Sequence, residues 1–499
     1  MYNTYHLRPF CLKTHKSHKN SWTCSGLSFL ILILILPTAL TGQHKVFKAG
    51  AYMSNITPAL GGEIVGNWKS PPATYIHDQL HTKSLVLDDG ETRIAMVLVD
   101  NVGIKREVFD EAKRLAEANT GLAADHILMA ATHTHSATSA EGVGINRRGW
   151  QGDTPLDGYQ IFLAQRIADG VQVAIGNLEL ARIAWGSVDV PQHVFNRRWL
   201  MKNPVMSPLG TLDNARMNPG VGNPELLEPA GPTDPEVSFI AVESSDGRPI
   251  AVLGNYSLHY VGGVPNGHIS ADYFGVFGDR IQELLKADRQ GPPFVGILSN
   301  GTSGDVNNIN FRGPRENNLP YAKINIVAND VAKAVFGEYQ HLTFQDWVPL
   351  RAAQAKLLLK VRRASPDLLA NMARVEARAD DAEPIFHSLE KTYAQRIKQL
   401  ETEWPDEIEI ILQTFRLGDL AIAAIPFETF AETGLEIKEK SPFSDSFTIE
   451  LANGSYGYLP TPAQHQLGGY ESWLGTNRVE VEASTKIVNE LMMLFNQLK

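Results

Sequence analysis

Residues 127–136 read Ile-Leu-Met-Ala-Ala-Thr-His-Thr-His-Ser, an apolar segment that runs directly into His133 and His135. The apolar part has the length and composition of a buried β-strand. Because alternate residues of a strand point to the same face, the two imidazoles are expected to converge on one point. Imidazole is the commonest metal ligand, so the segment predicts a sheet strand that leads into a catalytic metal site. For an isolated His-x-His, a core histidine beside a surface histidine is the commoner explanation.

The region before this segment reads as a strand, a helix and a strand. Residues 93–99 form a buried strand ending at Asp100, and residues 108–116 have helical spacing before Gly121. In such a unit the two strands normally lie side by side and parallel, with functional groups at their carboxyl ends. Asp100 and His133 are therefore expected at the same edge of the sheet, with a structural role favoured for Asp100.

Three later strand patterns also end in residues that suit catalysis: residues 237–257 lead to His259, residues 294–299 to Asp305, and residues 408–425 to Glu428. Catalytic zinc takes three protein ligands, commonly histidines and a carboxylate, and keeps one position open. His133, His259 and Glu428 satisfy this requirement. Taken alone, Glu428 also fits a surface or helix-capping carboxylate, and Asp305 also fits a residue that caps a turn.

The remaining pattern indicates an α/β fold in which mixed β-sheets are layered with helices, with one domain over residues 43–499. Helices are predicted over residues 157–175, over about residues 366–403 as an exposed helical excursion, and over residues 484–498. Residues 203–235 are rich in Pro, Gly and Asn. They are predicted to form a long excursion over a site, or a disordered segment, without regular structure.

Residues 1–42 differ in composition from the rest of the chain. Four basic residues precede an apolar run over residues 29–36, and small and polar residues follow it. This order predicts a signal peptide or an N-terminal anchor, and hence an exported protein that is secreted, periplasmic or membrane-anchored. It also leaves association with a membrane surface open. Both cysteines, Cys11 and Cys24, lie in this segment, so any metal elsewhere must be held by nitrogen and oxygen.

The chain is acidic, with 55 Asp and Glu against 45 Lys and Arg and a formal net charge of -10. Such a surface repels the phosphate backbone of nucleic acids, so no nucleic-acid partner is expected. The sequence carries no prediction of oligomeric state.

Several motifs together resemble the neutral ceramidases, also called neutral/alkaline non-lysosomal ceramidases. They follow the family's order at compatible spacing, at residues 131–136, 196–197, 255–259, 304–306, 425–429, 453–458 and 469–471. The resemblance implies the fold of the family's N-terminal catalytic domain. It also implies that the C-terminal immunoglobulin-like domain of typical members is missing from this chain.

The resemblance further implies roles for single residues. The zinc ligands would be His133, His259, Glu428 and Tyr458. His135 would face the substrate as a hydrogen-bonding or proton-transfer group, and Arg197 and Tyr470 would bind the polar head of the substrate. Without the resemblance, Arg197 also fits a surface cation stacked on an aromatic ring, and both tyrosines fit ordinary half-buried aromatics.

One motif departs from the family pattern. The family reads Gly-Asp-Val-Ser-Pro-Asn, with a serine to which a catalytic or substrate-contacting role is assigned, and this chain has Asn307 in its place. An amide cannot act as an activated nucleophile, so covalent serine catalysis is excluded. Asp305 and Asn307 are then expected to assist catalysis, with Asn307 as a hydrogen-bond donor.

The combined expectation is an exported zinc-dependent amidohydrolase that cleaves an N-acyl bond by attack of zinc-bound hydroxide. The substrate would be a small-molecule or lipid amide, with ceramide, split into a sphingoid base and a fatty acid, as the leading case. One alternative is a metal-dependent hydrolase of a smaller ester, amide or phosphoester. An alternative of another class is a noncatalytic envelope-binding protein that retains the fold.

Overall fold

The structure is a computed structural model that describes residues 45–66, 69–140, 149–150, 152 and 154–499. Residues 45–499 group into one compact unit by their contacts. The predicted signal peptide or anchor over residues 1–42 lies outside the described residues. Among the helices of the described part, none is long and apolar enough to cross a membrane.

The strands of the described residues are β1 (Lys48–Asn55), β2 (Ile64–Val65), β3 (Tyr75–Ile76), β4 (His81–Asp88), β5 (Arg93–Val99), β6 (Ile127–Ala131), β7 (Ala137–Thr138), β8 (Glu179–Asp189), β9 (Phe195–Asn196), β10 (Arg198–Met206), β11 (Leu212–Met217), β12 (Leu226–Pro229), β13 (Glu236–Ser244), β14 (Pro249–Tyr256), β15 (His268–Ile269), β16 (Val295–Asn300), β17 (Val306–Asn307), β18 (Leu350–Lys360), β19 (Glu407–Leu417), β20 (Leu420–Ala424), β21 (Glu428–Thr429), β22 (Asp445–Ile449) and β23 (Tyr458–Leu459).

The α-helices of the described residues are α1 (Arg106–Thr120), α2 (Gly158–Gly176), α3 (Asp272–Leu285), α4 (Ala322–Tyr339), α5 (Pro366–Glu376), α6 (Glu390–Glu403), α7 (Ala431–Lys440), α8 (Pro462–Leu467) and α9 (Ala483–Gln497).

Two mixed sheets form the centre of the fold. The larger has eight strands in the order β16-β14-β13-β8-β1-β4-β5-β6, and its neighbours are antiparallel except for the parallel pairs β5 with β6 and β14 with β16. The smaller has the order β18-β19-β20-β22, with β20 and β22 parallel. The prediction of an α/β fold with mixed sheets is confirmed.

Helices and sheets are stacked in four layers, each pair of layers enclosing a hydrophobic core. The large sheet packs one face on α1 to α4 and the other on the smaller sheet, whose outer face is covered by α5, α6 and α9. Leu128 of β6 lies in the central core with Phe415 of β19, while Met129 of β6 lies in the helix-side core with Phe109 of α1. Because β6 contributes to both cores, its sequence is apolar throughout instead of alternating.

The predicted strand–helix–strand unit is present as β5, α1 and β6. The two strands run parallel and pair Val99 with Ala131 at their carboxyl ends. Helix α1 ends at Gly121, which has a left-handed φ of 73° and donates its backbone N–H to the carbonyl of Glu117. This conformation carries no penalty for glycine, which explains why the helix stops at this position.

Other predicted elements lie close to their expected bounds. Helix α2 begins after Asp157, which forms a reciprocal capping box with Gln160. The hairpins β13–β14 and β19–β20 are antiparallel, as expected. The predicted helical excursion over residues 366–403 contains α5 and α6, and both pack on the smaller sheet instead of standing free in solvent.

Residues 203–235 are not disordered, and the prediction that they lack regular structure is wrong. Strands β10, β11 and β12 run into or through this segment and form a three-stranded antiparallel sheet. Trp199, Met201 and Phe311 form a small core beside it. The pairing of β10 with β11 shifts register between Leu200 and Val205. Such a shift, together with proline within an edge segment, blurs the period-two pattern by which a strand is recognised in sequence.

The segment after β22 contacts both edge strands of the large sheet, β16 and β6, near the site. The N–H of Glu450 donates to the carbonyl of Asn300 at the end of β16, at 3.2 Å. The N–H of Asn453 donates to the carbonyl of Met129 in β6, at 2.8 Å. The N–H of Leu451 donates to the carbonyl of Phe427, at 3.2 Å, so the same segment also holds the residues that follow β20.

Candidate metal centre

Three imidazoles and one carboxylate converge in the segments that follow β6, β14 and β20. His133 Nε2 lies 2.9 Å from His259 Nε2 and 3.1 Å from His135 Nε2. Glu428 Oε2 lies 3.3 Å from His133 Nε2 and 3.8 Å from His259 Nε2. The ligand atoms of the three histidines all lie within 4.8 Å of one another. This group could hold a metal ion, since imidazole nitrogens and carboxylate oxygens are ligands for divalent metals.

His133 is placed by its loop and not by a strand. Strand β6 ends at Ala131, and His133 has a left-handed φ of 73°, which residues other than glycine rarely adopt. The two imidazoles converge as predicted, but strand alternation is not the cause, because both histidines lie beyond the end of β6. The N–H of His133 donates to Asn101 O at 2.8 Å, and its Nδ1 lies 2.5 Å from Val102 O. With Nδ1 occupied by a carbonyl, Nε2 faces the other ligands.

His259 is held from behind by a buried serine and a buried glutamate. Its Nδ1 lies 3.1 Å from Ser303 O and 3.3 Å from Ser303 Oγ. Ser303 Oγ donates to Glu450 Oε1 at 2.7 Å, and Glu450 Oε2 accepts from the N–H of Thr429 at 2.7 Å. Burial raises the pKa of Glu450 to about 8. One carboxyl group thus fixes both His259 and the backbone next to Glu428, as outer partners of metal ligands commonly do.

Glu428 and Tyr458 are direct neighbours in the short parallel pair β21 and β23. Among the described residues, Glu428 Oε2 is buried without a hydrogen-bond partner, although it faces two imidazole nitrogens. Leaving a buried carboxylate oxygen unsatisfied is costly. A cation bound between this oxygen and the imidazoles would remove that cost, so the residues fit a metal.

The ionisable residues of the centre shift one another's pKa values. Burial acts to lower the pKa of His133, but the adjacent Glu428 carboxylate outweighs burial and raises it. Burial acts to raise the pKa of Glu428, but His133 outweighs burial and lowers it. Burial, reinforced by His133, lowers the pKa of His259 well below its usual value. Ionised Glu428 and neutral His259 are in the forms that bind a metal, whereas His133 has to release its proton when a metal binds.

Two buried arginines share one buried carboxylate at the edge of the site. Glu471 Oε1 accepts from Arg197 Nε at 3.0 Å, and Glu471 Oε2 accepts from Arg198 Nη1 at 2.7 Å. The Arg197 guanidinium lies over the Tyr458 ring, 5.3 Å from its centroid. The alternative of a surface cation is excluded because both arginines are buried. Arg197 therefore adjoins the candidate ligand Tyr458 in a fixed position.

Asp305 and Asn307 make structural contacts. Asp305 Oδ2 accepts from Asn196 Nδ2 at 2.7 Å, and its Oδ1 accepts from the N–H of Ala431 at 2.9 Å, at the start of α7. Burial raises the pKa of Asp305 to about 6. Asn307 Nδ2 donates to Asn218 Oδ1 at 2.8 Å. The structure thus gives both side chains partners other than the three histidines, and their catalytic roles stay predictions.

A recess of about 90 Å³ opens beside the histidines. The described residues that line it belong partly to the centre and are partly further polar residues. They include His133, His135, Glu428, Tyr458, Tyr470, Ser455, Thr476 and Arg478. Val65 and Val102 contribute the aliphatic side chains of this lining. The ring centroids of Tyr470 and Tyr458 are 5.6 Å apart. Of the two predicted substrate-binding residues, Tyr470 lines the recess and Arg197 lies behind Tyr458.

Sequence analysis missed several residues that hold the centre together. Glu450 follows strand β22, whose sequence Asp-Ser-Phe-Thr-Ile is mostly polar, so the pattern that pointed to Glu428 is absent there. Gly66 and Tyr260 carried no signal of their own, because their contacts with His135 depend on loops that are distant in sequence.

Gly66 is expected to be intolerant of any side chain. A Cβ added at this position would lie 2.6 Å from His135 Cγ, and the backbone has a φ of 112°. Given the proton-transfer role predicted for His135, we expect Gly66→Ala to displace His135 and to lower the predicted hydrolytic kcat by about 10- to 100-fold, because misplacing a reacting group by about 1 Å has effects of this size. Metal content should be unchanged, since His133 and His259 have their own anchors. Steady-state kinetics and elemental analysis measure both.

Gly61 provides the matched control for this substitution. It has a similar φ of 99°, but a Cβ there would meet nothing within 4 Å. Gly61→Ala therefore carries comparable backbone strain without a clash, and it should keep the kcat of the parent protein. Equal loss of kcat in the two variants would mean that backbone strain, and not the position of His135, is responsible.

The fold and the centre together define a four-layered α/β protein with a histidine- and carboxylate-rich candidate metal site. Among solved structures, it is similar to the neutral ceramidase from Pseudomonas aeruginosa, with a TM-score of 0.65 and 15% identity over 91% of this chain and 74% of that chain. A structure described as ceramidase complexed with C2 gives a TM-score of 0.64 and 15% identity, over 91% of this chain and 75% of that chain. The predicted neutral ceramidase-like fold is thus confirmed.

Comparison by sequence adds no further relative. No protein-family model matches the chain, and no curated protein matches it. At this low identity the structural similarity establishes the fold, whereas activity has to be argued from the site itself.

Proposed function

We propose that this protein is an exported zinc-dependent amidohydrolase that cleaves an N-acyl bond. The observation that carries the proposal is the meeting of His133 Nε2 and His259 Nε2 at 2.9 Å beside the buried Glu428 Oε2, which has no hydrogen-bond partner among the described residues. Export is supported by the composition of residues 1–42.

The residues that would hold the metal are His133, His259, Glu428 and Tyr458. When bound there, zinc supplies Lewis acidity and lowers the pKa of a water molecule into the neutral range. The protein's own contribution is to keep the ligands in place, through Val102 behind His133 and through Ser303 behind His259. These partners fix which ring nitrogen of each histidine faces the centre.

His135 is the proposed proton-transfer group. Its Nε2 lies 3.1 Å from His133 Nε2, so it adjoins the ligands while its ring lines the recess. There it can take a proton from the attacking water and give it to the amine nitrogen as the bond between carbonyl carbon and nitrogen breaks. Without that proton the amine is a poor leaving group.

Arg197 and Tyr470 are the proposed residues for the polar head of the substrate. Tyr470 lines the recess directly. Arg197 is buried and paired with Glu471, and it lies over the ring of Tyr458. From this position its charge favours negative charge developing on the carbonyl oxygen, an effect that strengthens where water is excluded.

Ceramide is the leading substrate of the proposal, and the lining of the recess favours a second candidate. The side chains of Ser455, Thr476 and Arg478 are polar, and a long acyl chain gains nothing from contact with them. A smaller, polar N-acyl compound is therefore the alternative that a specific observation supports.

Metal removal combined with a substrate panel tests the proposal. The panel contains N-acyl sphingosines, water-soluble acyl amides, esters and phosphoesters. Dialysis against a chelator should abolish hydrolysis of the N-acyl compounds, and one equivalent of zinc should restore it. Activity that survives complete metal removal contradicts the metal-dependent mechanism. Binding of an amide without turnover, by fully loaded protein, would instead favour a noncatalytic binding protein.

A further inference from the structure

The Tyr260 ring lies parallel to the His135 ring. Their centroids are 3.7 Å apart and the angle between the planes is 15°. We propose that Tyr260 is a positioning residue that holds the His135 imidazole at the angle required for proton transfer. The proposal rests on the proposed function, since it gives His135 its role. Tyr260 follows the candidate ligand His259 directly, so a single loop supplies both a metal ligand and the support for the proton-transfer group.

The loop that carries Tyr260 is fixed from two sides. On one side, His259 Nδ1 lies 3.1 Å from Ser303 O. On the other side, the buried carboxyl group of Asp272 accepts from the N–H groups of Val261 at 3.0 Å and of Gly262 at 2.9 Å. The loop cannot move without breaking these bonds, so the Tyr260 ring is a rigid surface for His135 to rest on.

The backbone near Tyr260 also leaves room for its ring. Gly262 has a left-handed φ of 80°, and a Cβ there would lie 3.1 Å from Tyr260 Cε2. The base of the His135 side chain is closely approached by Gly66, where a Cβ would lie 2.6 Å from His135 Cγ. Tyr260 and Gly66 together restrict the rotation of His135 about its side-chain bonds.

Stacking is suited to this task because it fixes the plane of a ring without occupying its nitrogens. His135 Nε2 stays directed at His133 Nε2, 3.1 Å away, while the flat face of the ring rests on Tyr260. The stacked ring therefore restrains the imidazole without adding a hydrogen bond to either of its nitrogens. Stacked aromatic pairs also stabilise beyond the area that they bury.

The test compares two substitutions at Tyr260. Tyr260→Phe keeps the stacked ring and removes the hydroxyl, whereas Tyr260→Leu removes the ring. We expect Tyr260→Leu to lower kcat for N-acyl hydrolysis by about 10- to 100-fold, with KM changed by less than about threefold and zinc content unchanged. Tyr260→Phe should retain kcat within about threefold. Crystal structures of both variants should show the His135 ring displaced in the leucine variant and in place in the phenylalanine variant.

A second stacked pair in the same chain gives the control. His77 and Tyr321 have ring centroids 3.7 Å apart with 11° between the planes, and neither ring belongs to the proposed site. Tyr321→Leu removes an equivalent pair and should leave kcat unchanged. Loss of kcat in this variant equal to that in Tyr260→Leu would mean that losing any such pair perturbs the fold.

Three other results would overturn the positioning role. Equal losses in Tyr260→Phe and Tyr260→Leu would assign the effect to the hydroxyl, and loss of zinc in Tyr260→Leu would assign it to metal binding. Full kcat in Tyr260→Leu would remove the role altogether. The crystal structures separate this proposal from the proposed function: an unmoved His135 ring in Tyr260→Leu refutes the positioning role even if the parent protein hydrolyses no N-acyl compound.

Discussion

Replacement of His133 is expected to remove both metal binding and hydrolysis. His133 Nε2 is within 3.3 Å of the facing atoms of His135, His259 and Glu428, so it is the central member of the centre. A bound metal contributes several kcal/mol to the transition state, and about 4 kcal/mol corresponds to about a thousandfold in rate. His133→Ala and His133→Asn should therefore lower kcat/KM by at least about a thousandfold.

The asparagine variant separates loss of metal from loss of fold. His133 has a φ of 73°, a conformation that asparagine tolerates better than alanine does. Both variants should lose bound zinc by elemental analysis, and the asparagine variant should keep the unfolding temperature of the metal-free parent. His126 is the matched control, because its Nδ1 lies 2.9 Å from the carbonyl of Arg93, outside the centre. His126→Ala should keep both zinc and activity. Retention of full zinc content by His133→Asn would remove His133 from the ligand set.

Replacement of Glu471 is expected to cause the largest loss of stability. Its carboxylate is fully buried and accepts from Arg197 and Arg198, which are themselves buried. Glu471→Gln leaves two buried guanidinium groups without their carboxylate. Removing one partner of a buried ion pair typically costs about 3–5 kcal/mol, because it leaves a buried charge uncompensated. We expect a loss of this size in the free energy of unfolding, measured by urea denaturation.

An exposed ion pair gives the contrast for this result. Glu111 accepts from Arg114 Nε at 2.7 Å on the surface of α1, where both side chains are accessible to water. Glu111→Gln should change the unfolding midpoint little, because exposed ion pairs contribute little to stability. A midpoint for Glu471→Gln as high as that of Glu111→Gln would show that Glu471 does not stabilise the two arginines.

Local sequence patterns determine a large part of the fold. The strand that leads towards His133, helix α1 up to Gly121, and the two hairpins follow from periodicity and turn residues within short windows. The segments that carry His133, His259 and Glu428 can also be recognised in the sequence. In each of them, a polar residue that suits catalysis follows an apolar run. These features depend on neighbours in sequence, so they can be read from the sequence.

The parts that could not be predicted depend on contacts between distant segments. The three-stranded sheet of β10, β11 and β12 was missed because its register shift and edge position weaken the alternating pattern. The left-handed backbone of His133 is imposed by Asn101 and Val102, which lie in another loop. The stacking of Tyr260 on His135 and the link from His259 through Ser303 to Glu450 need the loops after β6, β14, β16 and β22 to be assembled.

Anomalous diffraction at the zinc absorption edge tests the central claim most directly. Crystals of residues 43–499, grown with one equivalent of zinc, should give one strong anomalous peak between His133 Nε2, His259 Nε2 and Glu428 Oε2. Absence of a peak at this position, or a peak held by other residues, would contradict the assignment of this site as the metal centre of the protein.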